Sequence, residues 1–297
     1  MINDNIKMLR DTLRILEQGS YEVNDRTVNL KLSGEEMEAV HVLLPQEVEE
    51  TCRCLDFKKA NLTGRCEYDC VNMDSFGAAI RQYNELGYVP GEGKKPVLVL
   101  NLANPVQPGG GVRRGARAQE EDLCRKSSLL LSLESGGGAK YYEYNQGLHT
   151  FMGSDALIIT PQVEIIRDDK GELLDETVIV AVLTCAAPMI TYGKEGLTEE
   201  AYQTMVFNRI MGMLKCAAYF GYENLVLGAW GCGAFRNDAH VFSDLFYKAL
   251  TELDANGLGE KDLFCRIDFA VLDRTPEKYN YSEFWRNFGN GNFYKGV

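Results

Sequence analysis

Val97-Leu98-Val99-Leu100-Asn101-Leu102-Ala103-Asn104-Pro105-Val106-Gln107-Pro108-Gly109-Gly110-Gly111, followed after seven residues by Gln119-Glu120-Glu121, decides how this chain is read. An apolar run of strand length leads into three glycines, and a polar helix start comes next. Glycine lets backbone approach a ligand closely, and a loop between a buried strand and a helix is where open α/β sheets bind ligands. Two adjacent carboxylates at the same place supply acid/base chemistry. Together these features predict an enzyme acting on a phosphorylated sugar.

The same alternation extends outward. A helix is expected near 118–134, a strand over Val178 to Cys185, a helix near 198–220, a strand over Leu225 to Trp230, a helix near 238–255 and a strand over Phe264 to Leu272. Short apolar runs separated by helices give buried, mainly parallel strands in a layered α/β fold. Asp168-Asp169-Lys170-Gly171 reads as a hairpin turn, which makes the sheet mixed. Upstream, Ile6, Leu9, Leu13 and Leu16 recur at helical spacing and Gly19 is the stop. Val28, Leu30 and Leu32 alternate like a strand, Ser33 with Glu36 forms a capping box, and Asp74 caps a helix to about Leu86. The turn-rich Gly87 to Pro96 segment divides an N-terminal extension, 1–90, from a ligand-binding domain, 91–297.

The 297 residues carry a formal net charge of -12, which excludes the basic footprint of a non-specific nucleic-acid binder. An anionic ligand must therefore be held locally, largely by backbone amides. No apolar run reaches membrane-spanning length, and the first ten residues lack the apolar core of a secretory signal. Nine cysteines, an odd number, fit reduced thiols in the cytoplasm. Cys52, Cys54, Cys66 and Cys70 supply four possible zinc ligands, but their spacing matches no paired CxxC pattern, so no metal is assigned. His41, His149 and His240 lack ligand spacing, while Arg113, Arg114 and Arg117 are loop cations able to meet phosphates. Trp285 and Phe288 read as anchors of the C-terminus.

A second cluster, Gly228-Ala229-Trp230-Gly231-Cys232-Gly233-Ala234-Phe235-Arg236-Asn237-Asp238, again closes a strand and opens a helix. Two amide-rich loops on adjacent strand ends suit a diphosphate, and Phe235 can pack on a ribose or base. Adjacent helical residues point about 100° apart, so Glu120 and Glu121 have different jobs. Residues 135–165, with Gly136-Gly137-Gly138 and Tyr141-Tyr142, are a candidate flap over the site.

The three glycines, seven residues, then Gln119-Glu120-Glu121 resemble the signature of the poly(ADP-ribose) glycohydrolase family, particularly its compact bacterial type. The resemblance runs upstream through Val97 to Asn104 and downstream to Gly228–Asp238, which is similar to the diphosphate loop of macrodomains; the first helix and Gly19-Ser20-Tyr21 are similar to the family's N-terminal extension. It implies a three-layer macrodomain-like fold, with a mixed sheet between helices and a mainly helical N-terminal extension, and ADP-ribose lying across the strand ends. It also implies that Glu121 is the catalytic carboxyl, that Glu120 orients the substrate by its ribose hydroxyls, and that the ribose–ribose O-glycosidic bond is cleaved from the chain end. Asn101, near the distal ribose, joins Asn104, Gly109, Gly110, Gly111, Gln119, Gly231, Cys232, Gly233, Ala234 and Phe235 as substrate-binding candidates. The expected partners are ADP-ribose, poly(ADP-ribose) and ADP-ribosylated proteins, with no cofactor and no metal. A reader module that binds ADP-ribose without turnover, and a hydrolase of mono-ADP-ribosyl or other small ADP-ribose derivatives, are the competing classes.

Overall fold

The computed structural model describes residues 3–54, 66–87, 94–255 and 263–289. Its elements run α1 (Asp4–Gln18), β1 (Ser20–Val23), β2 (Arg26–Asn29), α2 (Gly34–Glu38), β3 (His41–Leu43), α3 (Pro45–Cys54), β4 (Glu67–Val71), α4 (Ser75–Leu86), β5 (Leu98–Leu102), α5 (Gln119–Lys126), α6 (Leu129–Glu134) and α7 (Gly136–Leu148). They continue through β6 (Leu157–Arg167), β7 (Leu173–Cys185), α8 (Glu199–Tyr219), β8 (Asn224–Leu227), α9 (Ala239–Ala255), β9 (Arg266–Ala270) and α10 (Tyr279–Phe288). Seven strands form one mixed sheet in the order β3-β6-β7-β5-β8-β9-β4. The β3–β6 and β6–β7 pairs are antiparallel and the rest are parallel.

The period of two along a strand sends alternate side chains to opposite faces. Leu98 and Leu100 of β5 join the core under α8 and α9, whereas Val97 and Val99 join the core under α4 to α7. The sheet is therefore covered on both faces, as continuous apolar strands require. The carboxyl ends of β5, β7, β8, β9 and β4 all emerge at one end, and the glycine loops are there.

Several expectations hold in detail. Gly19 ends α1 with φ 72°, Ser33 and Glu36 form the capping box of α2, Asp74 caps α4 through Gly77 N at 2.6 Å, and Asp168 N donates to Glu172 O in the hairpin between β6 and β7. Others do not. The single helix expected near 118–134 is broken at Ser127–Ser128, because Ser128 exchanges hydrogen bonds with Glu164 of β6 through its backbone amide and its hydroxyl, and short hydroxyl side chains compete with helical pairing. Strand β2 stops at Asn29, since Lys31 N and Leu32 N turn to the buried Glu164 carboxylate at 2.8 and 3.0 Å. The candidate flap at 135–165 holds α7 and most of β6, with Tyr141 and Tyr142 buried; these are core elements. Phe284 and Phe288 are the buried anchors of α10, while Trp285 is 39% exposed.

The boundary expected over Gly87 to Pro96 lies largely outside the described residues; β3 and β4, both earlier in the chain, are the two edges of the sheet. The extension proper is α1 with the β1–β2 hairpin. Thr12 Oγ1 donates to Arg125 O at 2.6 Å and Asn5 Nδ2 to Gly115 O at 3.0 Å, so α1 braces the back of the first glycine loop.

Candidate active site

Gln119 fixes where α5 begins. Its Oε1 accepts from Leu102 N at 2.9 Å, while Nε2 donates to Leu100 O at 2.8 Å and to Ser75 Oγ at 3.0 Å. One amide side chain thus ties the helix start to the end of β5 and to α4. Lys126, the last residue of the helix, is buried and reaches Asp74 Oδ2 at 3.1 Å, Asp122 Oδ2 at 2.6 Å and Asp169 O at 3.4 Å. Between these two fixtures the carboxylates cannot drift.

Glu120 and Glu121 do face different neighbours. Glu120 Oε1 accepts from Asn101 Nδ2 at 3.3 Å and its Oε2 from Asn104 N at 2.8 Å. Glu121 Oε1 accepts from Gly111 N at 2.8 Å. A Cβ on Gly110 would lie 2.5 Å from Glu121 Oε1 and 3.0 Å from Glu120 Oε2, so glycine is the residue that lets the loop close over both. Gly109 and Gly110 also hold φ of 62° and 55°, a region costly for other residues.

Burial pushes the Glu120 carboxyl up to about 8, against the lowering hydrogen bonds from Asn104 and Asn101 and with the neighbouring Glu121 charge adding to the rise. The Glu120 carboxyl therefore keeps its proton at neutral pH. Glu121 Oε2 and Asn101 Oδ1 are buried with no hydrogen-bond partner. A buried polar atom left unpaired costs about 1–3 kcal/mol; Glu121 lines the cavity, whereas Asn101 is enclosed.

These groups open on a cavity of about 760 Å³ lined by Glu120, Glu121, Gln119 and Asn104 on one side and by Gly231, Gly233, Ala234 and Phe235 on the other. That size suits a nucleotide-like ligand. Trp230 Nε1 donates to Cys185 O at 2.9 Å and Asn237 Nδ2 to Pro188 O at 2.8 Å, which fix the second loop against the end of β7. Exposed Arg117 and Arg274 bring positive charge to the cavity.

Residues 10–168 match the family model described as microbial-type PARG, catalytic domain, where PARG is poly(ADP-ribose) glycohydrolase. The chain belongs to that family. Similar solved PARG structures include that from Thermomonospora curvata, 30% identical with a TM-score of 0.85 over 96% of this chain and 99% of that one. Another is PARG from Deinococcus radiodurans in complex with ADP-ribose, 31% identical with a TM-score of 0.73 over 86% of this chain and 97% of that one. Poly(ADP-ribose) glycohydrolase 2 of Caenorhabditis elegans is 26% identical over 189 residues, 57% of this chain and 37% of that protein, so the chain spans little more than a third of that curated relative. The layered architecture, with its N-terminal helix, is the macrodomain-like fold of the bacterial PARG structures.

The PARG signature residues are therefore brought together, but not all as expected. Gly109, Gly110 and Gly111 serve the two glutamates: Gly111 N is spent on Glu121 and Gly110 N on Gln107 O, so the first loop is less a phosphate cradle than a carboxylate clamp. Gln119 is a brace that also lines the cavity, and Asn101 is fully buried behind Glu120. Cys232 turns away: its side chain is in the core, 8% exposed, with Sγ directed at Trp230 O, and burial pushes its thiol up. Of the candidate zinc ligands, Cys52 packs toward Cys216, Cys54 is exposed, and Cys66 and Cys70 are buried beside and within β4. Among the described residues no three His, Cys, Asp or Glu side chains are grouped to hold a metal ion, and no helix is long and apolar enough to cross a membrane.

Reading the sequence alone missed Asp74, Ser75 and Arg274, all on the cavity wall. The rule that ligands meet the carboxyl ends of parallel strands, applied to the turns after β4 and β9, would have found them.

Proposed function

We propose that this chain hydrolyses the ribose–ribose O-glycosidic bond of poly(ADP-ribose), removing ADP-ribose from the chain end. The observation that carries the reading is Glu121: 7% exposed, one oxygen fixed by Gly111 N and the other buried without a partner at the cavity. Glycosidic cleavage passes through an oxocarbenium-like state and needs a proton on the leaving oxygen and a base for water. The free oxygen of Glu121 gives its proton to the glycosidic oxygen as the C–O bond breaks. It then takes a proton from the water that adds to the ribose carbon, which restores the acid. Glu120, held by Asn101 and Asn104, presents its carboxyl to the ribose hydroxyls. The second loop carries the diphosphate, with Arg117 and Arg274 offsetting the acidic surface locally.

The same chemistry serves ADP-ribosylated proteins as sources of substrate. Nine cysteines, an odd number, support a reducing, cytoplasmic setting. A reader module would use the same cavity without turnover, and Glu121→Gln separates the two. Incubated with poly(ADP-ribose), the parent releases ADP-ribose and the variant loses about 10²–10⁴-fold in rate, the contribution of a positioned acid/base. Binding without release by the parent would leave the reader as the account.

A further inference from the structure

Next to the cavity lies a pair of exposed rings. Phe151 and Tyr192 are 45% and 73% exposed, with centroids 4.9 Å apart and planes at 45°. Single exposed aromatics are ordinary, but these two are laced together by backbone. Met189 N donates to Phe151 O at 2.8 Å, and the Glu195 carboxylate accepts from Phe151 N at 2.7 Å and from Thr150 Oγ1 at 2.5 Å.

The turn that carries Tyr192, Ile190–Tyr192, is also tied to the cavity wall. Ile190 N donates to Phe235 O at 3.1 Å and Thr191 Oγ1 to Ala234 O at 3.4 Å, and both acceptor residues line the cavity. The ring pair is thus tied by hydrogen bonds to that wall, at the sheet end that bears the glutamates.

We infer that Phe151 and Tyr192 form a stacking subsite for the adenine on the leaving side of the scissile bond. The inference rests on the glycohydrolase reading. In that polymer the glycosidic oxygen belongs to the ribose that carries the next adenine, so one purine lies a single sugar away from Glu121. A purine face stacks on exposed aromatic rings whatever its neighbours. In a chain of net charge -12, an uncharged contact also adds grip on a polyanion without more cations.

The test uses the Glu121→Gln protein, so that ligands survive, titrated by calorimetry with ADP-ribose and with the ribose-linked ADP-ribose dimer. The dimer is expected to bind about tenfold more tightly, in the range that one stacked base supplies. Adding Tyr192→Ala or Phe151→Ala removes that gain, Tyr192→Phe keeps it, and affinity for ADP-ribose itself stays within about twofold. Equal affinity of the two ligands before these changes, a gain that survives both alanine substitutions, or equal weakening of both ligands overturns the subsite. No binding of ADP-ribose at all would instead overturn the functional reading beneath it.

Discussion

The two glycine loops look alike in sequence and do opposite work. Each follows a parallel strand, β5 or β8, and each precedes a helix. The first folds inward, with Gly111 N and the bare Cα of Gly110 pressed against Glu121 and Glu120. The second faces outward, and Gly231, Gly233 and Ala234 form cavity wall. Glycine density announces that something comes close; it does not say whether that is a ligand or the protein's own carboxylates.

The contrast can be broken most sharply at Gly110. A methyl there meets Glu121 Oε1 at 2.5 Å, at a φ of 55°, so Gly110→Ala must displace the acid or open the loop. Its kcat on poly(ADP-ribose) should fall at least 100-fold while ADP-ribose affinity, measured by calorimetry, changes by less than about fivefold, because small displacements of reacting groups cost about that much in rate. If affinity collapses as well, the first loop is a binding element and the contrast fails.

Gly231→Ala probes the other loop. Its Cβ would lie 2.5 Å from both Ala187 Cβ and Asn237 Nδ2, at a φ of 77°, which disturbs the wall and the bond from Asn237 to Pro188. The expected result is ADP-ribose affinity weakened about tenfold and a lower melting temperature, the strain alone being worth about 1–2 kcal/mol, with kcat at saturation reduced by less than about fivefold. A variant hurt mainly in kcat would assign this loop to catalysis.

A third test is in pH dependence. Folding lifts the Glu120 carboxyl from its ordinary value of 4.5 to about 8, so the native state holds a proton that the unfolded chain has released between those values. That stabilisation is complete below pH 4.5 and disappears as pH rises through about 8. Melting temperature should therefore decline from pH 5 to pH 8 more steeply in the parent than in Glu120→Gln, whose neutral amide does not titrate. Parallel curves would show that burial beneath the first loop does not hold the proton.

Much of this was legible because the signals are local. Asp74, Ser33 with Glu36, and Gly19 act within a turn of helix, and the apolar runs of β5, β7, β8 and β9 declare buried strands. The glycine-to-glutamate spacing identified the site for the same reason: α5 follows its loop directly. What could not be read depends on distant partners. The break at Ser127–Ser128 exists because Glu164 of β6 lies beside it, and Arg274 joins the site only because β9 stands two strands from β5 in the sheet. The inward turn of Cys232, unlike its neighbours, is decided by core packing around β8 and α9.

The placement of β3 and β4 at opposite edges sets a timetable for biosynthesis. Glu67 of β4 finds its partner in Arg266 of β9, nearly two hundred residues later, and β3 waits for β6. A strand whose ladder is unfilled is a template for the wrong chain, and large domains are exposed to this while incomplete. Of the two edges β4 is the one joined last, so the sheet that carries the glutamates is complete only once β9 has been made.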